Sequence, residues 1–143
     1  MSNILVLCTG NSCRSQMAHG FLEFFNSGDH QIFSAGVETH GLNPNALLYM
    51  KEAGIDISNH TSNHITEYQD IPMDYVITVC DHAKEVCPYF HEGAEIIHHP
   101  FRDPSKSKTN IESLFREVRD EIKAFCQDFI FKIENSSYAT ETE

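Results

Sequence analysis

Apolar positions along this chain follow two rhythms. Residues 3–7, 31–34, 74–79 and 94–98 are short runs rich in apolar, β-branched and aromatic side chains, the pattern of strands. Between and after them the apolar residues recur every three or four positions, the pattern of helices packed on one face. Met17, Phe21, Leu22, Phe24 and Phe25 predict a helix over 13–25, stopped by Asn26-Ser27-Gly28. Asn43-Pro44 opens a second helix through Leu47, Leu48 and Met50, and Gly54 ends it. Ile111, Leu114, Phe115, Val118, Ile122, Phe125, Phe129 and Ile130 predict a final helix over about 110–131. Residues 134–143 are polar and are expected to form a disordered tail, leaving 1–133 as the folded domain.

Strands alternating with helices predict an α/β fold, a single domain with a four-stranded parallel sheet flanked by helices. Ligands of such sheets bind beyond the carboxyl ends of the strands. Cys8 follows the first strand, Cys80 the third, and Asp103 comes shortly after the fourth. The topology therefore sets all three on one rim.

The chemistry concentrates at Cys8-Thr9-Gly10-Asn11-Ser12-Cys13-Arg14-Ser15. Backbone N–H groups of a loop that opens a helix converge on an anion, and the helix N-terminus adds partial positive charge. That makes Thr9, Gly10, Asn11, Ser12, Cys13 and Arg14 the candidate substrate-binding residues. The same field favours Cys8 as thiolate, the nucleophilic form. Arg14 can grip two oxygens of a tetrahedral oxyanion, and Ser15 is placed to donate to the Cys8 sulfur. Asp103, before Pro104, either caps a turn or serves as a general acid for the leaving oxygen.

Cys80 and Cys87 flank six residues, Asp81 to Val86. On one continuous helix their Cα atoms would stand roughly 10.5 Å apart, beyond the ~4.4–6.8 Å that a disulfide spans. A redox relay would require this segment to change shape. Two buried thiols, or a zinc site with His82 and His91, are the other readings of the same spacing.

Composition narrows the picture. The chain has 143 residues and a formal charge of −11, which argues against nucleic acid as a partner. An anionic substrate must be attracted by local donors. No apolar run suits a membrane span or a signal peptide, so a cytoplasmic protein with no membrane partner is expected, and a monomer. Five cysteines in odd number do not read as a secreted disulfide framework.

The segment Cys8 to Ser15, taken with Asp103-Pro104, resembles the low-molecular-weight tyrosine phosphatase superfamily, and within it the thioredoxin-coupled arsenate reductases. LCTGNSCRSQMA at 7–18, SAGVETHG at 34–41, GIDISNHTS at 54–62 and the Cys80/Cys87 pair carry the likeness. The resemblance implies a low-molecular-weight-phosphatase-like fold and catalytic roles for Cys8, Cys80, Cys87, Arg14, Ser15 and Asp103. It further implies arsenate as substrate, a Cys80–Cys87 disulfide as the oxidised product, thioredoxin as reductant, and no cofactor. The alternative is an aryl phosphate or protein tyrosine phosphatase using Cys8, Arg14 and Asp103 alone. Some relatives hold potassium beneath the loop through carboxylates. His19 and Asn63 stand at those positions here, so no metal is expected.

Overall fold

The computed structural model describes residues 2–80 and 93–142, with side chains to residue 135. Cys87, His82 and His91 lie outside the described residues. Four strands form one parallel sheet: β1 (Asn3–Cys8), β2 (Gln31–Gly36), β3 (Tyr75–Thr78) and β4 (Glu95–His98), in spatial order β2-β1-β3-β4. Three helices accompany them among the described residues: α1 (Arg14–Phe25), α2 (Pro44–Glu52) and α3 (Ile111–Thr142). The expected single-domain α/β architecture is what the chain adopts.

β1 lies inside the sheet and is apolar because neither face meets water; Ile4, Leu5, Val6 and Leu7 are fully buried. Met17, Phe21 and Leu22 of α1 and Phe115, Val118 and Ile122 of α3 join them in one core. Asn43 caps α2, its side-chain oxygen accepting from the N–H groups of Asn45 and Ala46 at 2.9 and 3.1 Å. Pro44 sits in the first turn, and Gly54 turns the chain away at φ 86°.

Pairing decides where the site forms. β1 is bracketed by β2 on one side and β3 on the other, so its carboxyl end is the switch point of the sheet. Leu7 pairs with Thr78, and the Val79 N–H continues the ladder to the Leu7 carbonyl at 3.0 Å. Cys8 and Cys80 thus leave neighbouring strands together. Beyond β4 the N–H groups of His99 and Phe101 bond the carbonyls of Thr78 and Val79, which steers Asp103 to the same rim.

α3 runs past the boundary that its apolar periodicity sets, as far as Thr142. Extending an existing helix adds one backbone hydrogen bond per residue without a new nucleation cost, so polar residues continue it. Glu134, inside the expected tail, accepts a hydrogen bond from Ser27 Oγ at 2.9 Å.

Candidate active site

The loop between β1 and α1 has its carbonyls fastened on the outside. Those of Thr9, Gly10 and Ser12 accept from the N–H groups of Glu38, His40 and Asn43. Gly10 O also accepts from Ser62 Oγ, Asn11 O from Gln16 Nε2, and Cys13 O from the Met17 N–H. In a trans peptide the N–H points opposite to the C=O. The N–H groups of the same units therefore point away from these carbonyl partners, the arrangement an anion cradle requires.

Asn11 holds the loop from beneath. It is fully buried in the left-handed region at φ 47°, which asparagine tolerates better than most residues. Its amide donates to the Ser34 and Asn63 carbonyls at 3.2 and 3.4 Å. Its oxygen accepts from Ser15 Oγ at 2.8 Å. The single Ser15 proton thus serves Asn11, in place of the expected donation to the Cys8 sulfur. Gly36 passes close below the loop: a Cβ there would stand 2.6 Å from the Thr9 carbonyl oxygen.

A cavity of about 270 Å³ opens above, lined by Cys8, Thr9, Gly10, Ser12, Cys13, Arg14, His40, Asp103, Ser105 and Lys106. Its size is at the low end of the ~300–1,000 Å³ of drug-sized ligand sites. Arg14 Nη1 donates to the Phe101 carbonyl at 2.9 Å, and Nη2 lies 3.5 Å from Asp103 Oδ2. Asp103 takes the turn-capping role and also faces the cavity. Oδ1 caps the short turn Pro104–Lys106 through Ser105, and Oδ2 faces the cavity cation. Arg102, adjacent in sequence, turns away to Glu117 and Glu121 on α3.

Cys80 is the strongest influence on the Cys8 thiol, and the Cys80 sulfur lies 3.2 Å from Thr9 Oγ1. Both cysteines are buried. The loop's pull toward a Cys8 thiolate meets opposing influences here. The neighbouring Cys80 and burial hold the Cys8 proton far above the ordinary thiol range; Arg14 and the Thr9 N–H pull the other way and are outweighed. Cys13 is pushed up to about 12 by burial and by Asp103. Cys126, on α3, is raised by burial alone and bonds the Ala18 carbonyl.

Sequence reasoning did not single out His40 or Lys106 at the rim. Lys106 is three residues beyond Asp103, a signal available once Asp103 was placed. His40 had none, because it reaches the cavity only through the backbone bond that seats it beside Gly10. His98 and His99 support the rim from behind: His98 bonds Thr78 Oγ1 at 2.7 Å, and His99 packs against Phe101 and Phe125.

A buried cysteine at the end of β1 thus shares one cavity with an arginine and an aspartate. Residues 3–138 match the family of low molecular weight phosphotyrosine protein phosphatases, and the chain belongs to that family. It is 48% identical over 122 residues to an arsenate reductase of Halalkalibacterium halodurans, covering 83% of this chain and 88% of that one. It is 45% identical over 130 residues to arsenate reductase 1 of Staphylococcus epidermidis, covering 91% and 96%. An arsenate reductase solved in its oxidised state superposes with a TM-score of 0.82 at 32% identity, covering 93% of this chain and 99% of that one.

Proposed function

We propose that this protein reduces arsenate to arsenite by passing two electrons through Cys8, Cys80 and Cys87, and that thioredoxin, a dithiol protein, restores the thiols. The observation that carries the reading is that Cys8 and Cys80, both buried and free, leave the paired neighbouring strands β1 and β3 together at one rim of the sheet. A phosphatase needs the first sulfur and gains nothing from the second. Similarity to arsenate reductases over most of the chain supports the same substrate.

Arsenate enters the loop with its oxygens on the inward N–H groups and Arg14. Its own basic oxygen takes the Cys8 proton, which Cys80 otherwise helps to retain. The Cys8 sulfur bonds arsenic as an As–OH bond breaks, and Asp103 supplies the proton with which hydroxide leaves as water. The Cys80 thiolate then attacks the Cys8 sulfur. The S–As electron pair stays on arsenic, which falls from the +5 to the +3 state and departs as arsenite. Cys87 attacks Cys80, regenerates the Cys8 thiol and leaves a Cys80–Cys87 disulfide. Thioredoxin reduces that disulfide. The chemistry calls for no organic cofactor. A cytoplasmic monomer, with the reductase unit in 1–133, suits a reaction that draws on a reducing thiol pool. No helix among the described residues is long and apolar enough to cross a membrane.

Hydrolysis of phosphate monoesters is the second reading, favoured by the placement of Cys8, Arg14 and Asp103 and by the family itself. Replacing Cys80 by serine separates the two. The relay predicts that steady-state arsenate reduction is lost while any phosphatase activity survives. Arsenate turnover undiminished in C80S sinks the relay.

A further inference from the structure

On the far side of the oxyanion loop, His19 and Glu23, one turn apart on α1, meet His60 from the loop after α2. His19 Nε2 lies 2.9 Å from Glu23 Oε1, and His60 Nε2 lies 3.6 Å from Glu23 Oε2. The three ligand atoms fall within 4.8 Å of one another. Tetrahedral zinc with bonds of ~2.0–2.1 Å sets its donors roughly 3.3 Å apart, between those two separations.

The hydrogen bonds around His60 leave the cluster incomplete. Gln16 Nε2 donates to the Asn11 and Thr61 carbonyls, both at 3.0 Å, which fixes the amide orientation. Gln16 Oε1, an acceptor only, therefore faces His60 Nδ1 at 3.1 Å, and Nδ1 must carry the proton. In the neutral ring the Nε2 lone pair then points at a carboxylate oxygen, acceptor against acceptor. A cation between Nε2 and Glu23 resolves the conflict. The outer nitrogen of His19 is likewise engaged, Nδ1 bonding Ser34 Oγ at 2.7 Å. Two imidazoles held at Nδ1 and presenting Nε2 are the usual arrangement of metal-ligating histidines.

We propose that His19, Glu23 and His60 bind a divalent transition metal of the zinc class, with water as the fourth ligand. Two imidazoles and a carboxylate select zinc, cobalt or nickel rather than an alkali cation. The site is therefore chemically distinct from an oxygen-lined potassium cradle. A cavity lined by Glu23, Asp56, His60 and Gly20 opens at the cluster and gives the ion and its water a way in. Binding releases the proton from His19 Nε2 when one is there and turns its Nδ1–H toward Ser34 Oγ. The residues that orient the two ligands, Gln16 and Ser34, also hold Asn11 of the oxyanion loop. An ion here braces the loop from behind. The inference does not depend on which oxyanion the loop turns over.

The test is cobalt(II) and zinc titration of the full chain with Cys8, Cys80 and Cys87 replaced by serine, which removes thiolate competition. The expected result is one equivalent bound, visible cobalt bands of nitrogen and oxygen ligation without a sulfur charge-transfer band, and a melting temperature raised by several °C. Glu23→Gln and His60→Gln should each weaken binding by at least ~10-fold. Glu23 is half exposed, so its variant reads the site even if His60→Gln fails to fold. No binding, or binding unchanged in Glu23→Gln, overturns the proposal.

Discussion

The two walls of the cavity are built differently. The loop at 9–13 has every carbonyl bonded and a buried asparagine beneath it. The opposite wall, at 101–106, is partly exposed, with Arg102, Ser105 and Lys106 open to solvent. It holds Asp103 by a turn of three residues and by one ion pair at 3.5 Å. The first wall is fixed before substrate arrives, as electrostatic stabilisation of an oxyanion requires. The second can give way. Its Arg14–Asp103 contact spans the cavity, so an anion drawn to the arginine would compete with the acid for it.

Breaking the fixed wall should cost most. Asn11→Ala removes the buried amide and its three hydrogen bonds and puts alanine where φ is positive. We expect arsenate turnover to fall at least ~10³-fold and denaturant unfolding to show a loss of about 2–4 kcal/mol. Asp103→Asn touches the adjustable wall and only its chemistry. It should lower kcat by about 10²–10⁴-fold with the melting temperature nearly unchanged. Equal losses in the two variants' stability would erase the contrast.

Smaller effects sharpen it. Cys80→Ser removes the neighbour that most strongly holds the Cys8 proton. Alkylation of Cys8 by iodoacetamide near neutral pH should then be faster than in the unaltered protein, measured as the rate of peptide mass gain. An unchanged rate would show that burial alone sets the Cys8 proton. Away from the cavity, Glu52 of α2 is held to about 2 by Arg116 and Arg119 of α3. A carboxylate depressed in the folded state adds stability above its unfolded value of ~4.3 and loses it as pH falls toward 2. The pair is solvent-exposed, so Glu52→Gln should shift the melting temperature only slightly at pH 7, with the difference vanishing below pH 2.

Fold and site differ in how much of them local sequence carries. The apolar run before Cys8, the Asn43-Pro44 start and the Gly54 stop act over a few residues, so strand, cap and turn were readable in the chain. The rim followed from topology, because parallel strands place their carboxyl ends together. What escaped were consequences of side chains meeting across long separations. That Cys80 restrains the Cys8 proton depends on a contact between residues 72 positions apart. Ser15 gives its proton to Asn11 because that asparagine is buried and needs a donor. His19 and Glu23 share a helix face by their spacing, whereas His60 joins them only after the loop following α2 folds back.

The central claim is a handover of sulfur bonding from Cys8 to Cys80. Cys87→Ser should stop the relay at its midpoint. After one arsenate turnover with no added reductant, followed by acid quench, mass spectrometry of the digest should find a Cys8–Cys80 disulfide and one equivalent of arsenite. Arsenite formed with both cysteines still free, or joined to other partners, would contradict the account.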